Sequence, residues 1–130
     1  MVYLAHFFVA AMVGVLIDAL WIAGIAKDFY QKHMGRLLAD RPNPFPIVIF
    51  YVVYIWAVLY FVVEPALLNH SLSWLLKHAA LLGFALYATY DLTNASTLKD
   101  WSAKLTVVDM LWGTFLTTTV AAATFLIFNQ

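Results

Sequence analysis

Four long runs of mainly apolar residues, at about 2–26, 47–63, 72–90 and 105–128, divide this 130-residue chain. Each has roughly the 17 to 25 residues that a helix needs to cross the hydrocarbon of a bilayer. Within lipid the backbone must satisfy its own hydrogen-bonding groups, so such runs fold as helices. With 65% hydrophobic and 11% charged residues, too little polar surface remains to coat a water-soluble globule. The expectation is an all-α integral membrane protein: one domain, a bundle of four transmembrane helices. The first run resembles a secretion signal near Gly24-Ile-Ala26, but it lacks a basic leader and Asp18 interrupts it, so it reads as a retained span.

The chain has no cysteine, which excludes disulfides, thiolate nucleophiles and iron–sulfur clusters. Its formal net charge is zero, so bulk charge implies no nucleic-acid partner. The distribution of charge says more. Lys27, Lys32, Arg36 and Arg41 follow the first span, and Lys99 and Lys104 lie between the third and fourth. By the positive-inside rule these loops are cytoplasmic and both termini lie outside. Between spans one and two, Phe29/Tyr30, His33/Met34 and Leu37/Leu38 recur at helical spacing, which predicts a short amphipathic surface helix. Pro42, Pro44 and Pro46 then predict a stiff, non-helical connector, and Glu64-Pro65 is expected to end span two.

Three acids sit in or beside the apolar runs: Asp18, Asp91 and Asp109. An ionisable group at that depth costs a few kcal/mol to insert and is a functional hypothesis by default. Asp18 precedes Lys27 by nine residues and Asp109 follows Lys104 by five, placing them about 13 and 8 Å from those lysines along regular helices. Asp91 is expected to close span three, so all three acids fall in the cytoplasmic half. Structural roles compete with this reading: Asp109 is near a helix start, where the dipole favours an anion, and Asp91 can pair with Lys99 or Lys104. Asp18 has no such local partner and is the first choice for a binding group.

Trp21 and Trp112 each follow an aspartate by three residues, and their indole N–H groups can serve these acids or a neighbour's. Ala11, Gly14, Asp18, Ile22 and Ile25 are expected on one face of span one, and Thr106, Asp109, Gly113, Thr117, Val120 and Thr124 on one face of span four. Small faces are where membrane helices meet. Tyr51, Tyr54 and Tyr60 in span two read as packing or interfacial residues without chemistry, and Thr97-x-x-Asp100 reads as a capping box. The histidines offer no metal-site spacing, so neither a metal nor another cofactor is expected.

The run Tyr87-Ala-Thr-Tyr-Asp-Leu-Thr-Asn94, with Lys104-Leu-Thr-Val-Val-Asp-Met-Leu-Trp-Gly113 behind it, resembles the signature of an uncharacterised family of small bacterial four-span membrane proteins. The resemblance implies a multi-pass protein of the bacterial inner membrane and supplies no activity. It marks Asp91, Asn94, Asp109 and Trp112 as signature positions.

The leading functional expectation is a small transporter- or channel-like protein that binds a proton, cation or cationic solute at Asp18, Asp91 and Asp109. Trp21, Trp112, Tyr87, Tyr90, Thr93 and Asn94 are its supporting residues. The alternatives are a membrane enzyme acting on a lipid or quinone-like substrate at the cytoplasmic leaflet, and an accessory subunit without chemistry. No nucleophile or metal motif favours the enzyme. Expected partners are the bilayer, a small cationic or lipid-like ligand, and further copies of the chain or a membrane complex.

Overall fold

The computed structural model describes residues 2–130, and among them every regular element is helical. Helix α1 (Val2–Leu20) continues through a π turn (Trp21–Ile25) into α2 (Lys27–Met34), which a 3₁₀ turn (Gly35–Leu37) finishes. Helix α3 (Pro44–Val58) passes through a second π turn (Leu59–Val63) into α4 (Glu64–Leu68), and α5 (Leu72–Thr97) and α6 (Ala103–Phe128) complete the chain. Four segments are long and apolar enough to cross a membrane: Val2–Ile25, Pro44–Leu68, Leu72–Thr97 and Ala103–Phe128.

Several helix ends differ from the sequence expectation, each for a local reason. The connector expected through Pro46 stops at Asn43, whose side chain accepts from the Phe45 N–H at 3.0 Å. Pro44 and Pro46 then occupy the first helical turn, where a missing N–H has no intrahelical partner to lose. Glu64-Pro65 does not end span two. The preceding π turn bonds the Glu64 N–H to the Leu59 carbonyl, and Pro65 stands in the first turn of α4. The capping box at Thr97-x-x-Asp100 is not formed: the Thr97 hydroxyl bonds the Thr93 carbonyl inside α5, and Ser102 caps α6 by accepting from Leu105. Asp100 adopts a left-handed backbone (φ 62°) in the loop between them.

The bundle is assembled along rows of residues spaced by four. On α1 the buried row is His6, Ala10, Gly14 and Asp18; on α5 it is Leu75, Ala79, Gly83 and, two turns on, Asp91. On α6, Leu105, Asp109, Gly113, Thr117, Ala121 and Phe125 are all buried. Of the residues expected on the α1 face, Ile22 stays beside Asp18 at the wall of the cavity described below, while Ile25 is 81% exposed, because the π turn rotates the chain after Asp18. Small residues let the backbones close up: a Cβ on Gly83 would fall 2.6 Å from the Gly113 carbonyl oxygen and 2.7 Å from Thr117 Cβ. In lipid such van der Waals contact, with interhelical hydrogen bonds, takes over the role that the hydrophobic effect has in water.

The α5–α6 pair is the most extensive contact, and α1 packs on α6. The α3–α4 segment meets α5 chiefly through its last turns, Leu59–Val63 and Glu64–Leu68. At the opposite end, beside the 26–43 and 98–102 loops, α3 and α5 diverge and leave a cleft between them. Each of the three small-residue rows brings its aspartate to that end.

Candidate functional site

The cleft is a cavity of about 1050 Å³ whose wall is overwhelmingly apolar. Phe45, Ile49, Phe50 and Val53 of α3 and Leu86 of α5 supply much of that wall. Into it face Asp18, Asp91 and Asp109, with Tyr30, Tyr54, Tyr87, Tyr90, Trp101 and Trp112, and the single cationic side chain Lys27. The three acids expected to converge therefore share one cavity, although they come from three helices. They do not meet at one point: among the described residues no three His, Asp or Glu side chains are placed to hold a metal ion.

The three acids differ in how far their oxygens are satisfied. Asp18 is buried and both of its oxygens accept: Oδ2 from the Tyr51 hydroxyl at 2.5 Å and Oδ1 from the Trp112 indole N–H at 2.9 Å. Asp109 accepts a short hydrogen bond from the Tyr30 hydroxyl, which in turn accepts from the Trp21 indole N–H at 3.2 Å. Burial, followed by that bond to Asp109, pushes the Tyr30 phenol well above its usual range, which keeps it a donor. Asp91 is fully buried, and neither of its oxygens receives a hydrogen bond. The polar group within its reach is the Asp109 carboxyl, itself an acceptor, so a bond between the two requires a proton on one of them.

Among the described residues no lysine or arginine pairs with any of the three. Among the described residues the one Lys/Arg–carboxylate pair is the exposed Arg36–Asp100 contact (3.8 Å), and His6 meets Glu64 through a hydrogen bond at 2.6 Å, far along the α1 row. The local explanations considered for Asp91 also fall away: α5 runs on to Thr97, so Asp91 lies inside the helix and not at its end, and it pairs with neither Lys99 nor Lys104. An unpartnered buried carboxyl costs free energy that a well-packed apolar side chain would not.

The supporting residues separate into two groups. Trp21 and Trp112 take part in the acid network, and Tyr87 and Tyr90 line the cavity. Tyr87 packs its ring over Gly113, where a Cβ would collide with it. Thr93 and Asn94 are outside the lining, and the exposed Thr93 hydroxyl bonds back to the Thr89 and Tyr90 carbonyls. The face expected on α6, Thr106, Asp109, Gly113, Thr117, Val120 and Thr124, is buried throughout, while most α6 threonine hydroxyls bond their own backbone. Thr114, Thr118, Thr119 and Thr124 each bond the carbonyl four residues earlier, and only Thr117 reaches another span, meeting Tyr54 at 2.8 Å.

Sequence reasoning missed Tyr30 and Tyr51 as partners of the acids. Tyr51, a packing or interfacial residue by sequence, supplies one of the two donors to Asp18. The available signal was its place one turn into an uncharged span, where a phenol needs a polar partner. Trp101 donates to Thr106 at 2.9 Å and meets Tyr90 edge-on at the cavity wall.

Neither the curated proteins nor the solved structures give a significant match to the chain. A family model does, described as "Predicted membrane protein (DUF2177)" and matching residues 3–126. The chain therefore belongs to that family of membrane proteins of unknown function.

Proposed function

We propose that the protein is a small transporter-like membrane protein that binds a cation carried on an apolar body, with Asp91 as the group that pairs with the charge. One observation carries this reading: a fully buried carboxyl, without a hydrogen-bond donor, lies at the wall of an apolar cavity of about 1050 Å³. That volume suits a drug-sized molecule, and apolar walls with a few placed polar groups are what such sites present. Three acids against one lysine make the lining anionic, which selects cations and disfavours carboxylates or phosphates. A proton is the competing occupant. The Asp91–Asp109 pair releases it when a cation arrives, and this exchange is what a proton-coupled carrier requires.

The cleft between α3 and α5 supplies a route from the bilayer, since the walls that flank it are the outward-facing apolar side chains of α3. The basic residues of the 27–41 and 99–104 segments support a cytoplasmic position for this end, with both termini outside and α2 lying on the membrane surface.

A second reading has its own support. Away from the cavity the bundle is closed by buried Val62, Val63, Leu75, Ala79 and Phe125, so access is from one end. One-sided access also suits an enzyme acting on a lipid or quinone-like substrate at that leaflet.

The test is binding of tetraphenylphosphonium, a lipophilic cation, to purified protein in detergent at several pH values, for wild type and Asp91→Asn. Binding that releases a proton and is lost in the variant supports the reading, and counterflow of the same cation in proteoliposomes then separates a carrier from a one-sided enzyme. Undiminished binding by Asp91→Asn removes Asp91 from the site. Absence of binding by wild type leaves the accessory-subunit alternative in its place.

A further inference from the structure

A second cavity lies outside the acid site. Between α2 with its 3₁₀ turn and the 98–102 loop is a pocket of about 250 Å³ lined by Lys32, His33, Arg36, Lys99 and Asp100, among others. Three of the chain's seven lysines and arginines gather there against a single acid. The concentration comes from tertiary structure, because Lys99 is 63 residues from Arg36 in sequence. Two contacts hold the walls together: His33 Nδ1 with the Ser102 hydroxyl at 2.7 Å, and Arg36 with Asp100 at 3.8 Å. The second is too long for a hydrogen bond and both partners are largely exposed, so the guanidinium donors stay available.

We propose that this pocket binds a phosphate group at the membrane surface. Two ammonium groups and a guanidinium fork, approaching from two separate segments, suit a tetrahedral anion that offers several acceptor oxygens at once. The position is also suited to it. Gln31 and Met34 border both this pocket and the acid cavity, so the basic pocket lies beside the mouth of an apolar cleft. Basic pockets beside transmembrane helices at the cytoplasmic face are where phospholipid headgroups are held. The shared chemistry is the phosphate; a lipid headgroup and free phosphate are its two sources. The site does not depend on the cation reading, since none of its charged side chains lines the acid cavity.

The experiment is thermal unfolding of the full chain in a neutral detergent, titrated separately with dihexanoyl phosphatidylglycerol and with inorganic phosphate. The proteins compared are wild type, Lys99→Arg, Asp91→Asn and the triple variant Lys32→Gln/Arg36→Gln/Lys99→Gln. All three replaced side chains are exposed, so the triple variant is expected to fold, and its melt without ligand checks this. The expected result is a salt-sensitive rise in melting temperature for wild type, Lys99→Arg and Asp91→Asn. Each removed cation weakens the response about fivefold, so the triple variant loses it by about a hundredfold. A response to the lipid alone identifies a headgroup site, and an equal response to inorganic phosphate identifies free phosphate. No response in wild type, or an equal response in the triple variant, overturns the proposal. Asp91→Asn separates the two sites, because it loses the cation response while keeping this one.

Discussion

The rings of Trp21 and Trp112 lie 4.3 Å apart and within 6° of parallel, so the two Asp-x-x-Trp segments meet face to face with their partners exchanged. Trp112, from the segment of Asp109, donates to Asp18; Trp21, from the segment of Asp18, reaches Asp109 through Tyr30. The exchange ties α1 to α6 at the end where the cavity opens. It also explains why Asp18 and Asp109 are anchored acids while Asp91 is left free.

Neutralising the acids should therefore rank in an order opposite to their isolation in sequence. Asp18 accepts from two donors, and in Asp18→Asn one of them faces an NH₂ group, a loss of about 1–3 kcal/mol. Asp91→Asn removes an unpartnered carboxyl and offers Asp109 a donor, so it should be as stable as wild type or more so. Reversible unfolding of the two variants in mixed detergent measures the order.

The Trp112 hydrogen bond is separable from the Trp112 ring. Trp112→Phe keeps an aromatic face for Trp21 but removes the donor to Asp18, at an expected cost of about 0.6–2 kcal/mol. In a double-mutant cycle with Asp18→Asn the two losses should fall short of additive, whereas independent sites would add.

Glycine substitutions should report how closely α5 and α6 approach. Gly113→Ala puts a methyl group into the Tyr87 ring and should cost about 1–3 kcal/mol, and the displaced ring should perturb ligand binding as well. Gly24→Ala, which has open space around it, should be near neutral. Melting temperatures of both variants test the contrast.

Tyr30 provides a pH test with a defined sign. Its folded-state value is raised, so its contribution to stability is complete below the ordinary phenol range near 10 and declines as pH climbs above it, where only the unfolded chain loses the proton. In the folded protein, ultraviolet titration to pH 10 should show no tyrosinate from Tyr30. Tyr30→Phe should leave that folded-state titration unchanged and reduce the alkaline loss of stability.

The placement of the acids was legible from their distances to the flanking lysines and, for two of them, from small residues at spacing four: Gly14 before Asp18, and Gly113 and Thr117 after Asp109. The state of each acid was not. Tyr51 and Trp112 come to Asp18 from 33 and 94 residues away, and Tyr30 comes to Asp109 from 79. The π turns at Trp21–Ile25 and Leu59–Val63 have no sequence signal of their own, and the first moved Ile25 off the face where a regular helix would have kept it.

The sequence by itself determined that this chain is helical and long enough in four places to span a bilayer. Helical hydrogen bonds are local, and lipid forbids the backbone any other partner. Small residues already marked the inner faces of α1 and α6, but for α3 only the tertiary structure decided which face is inside, because lipid and core are equally apolar and the pattern of hydrophobic residues carries no such information. It likewise decided that Asp91 alone among the three acids has no donor and that Lys32, Arg36 and Lys99 share a pocket. Both facts depend on side chains that meet across loops and not along a helix.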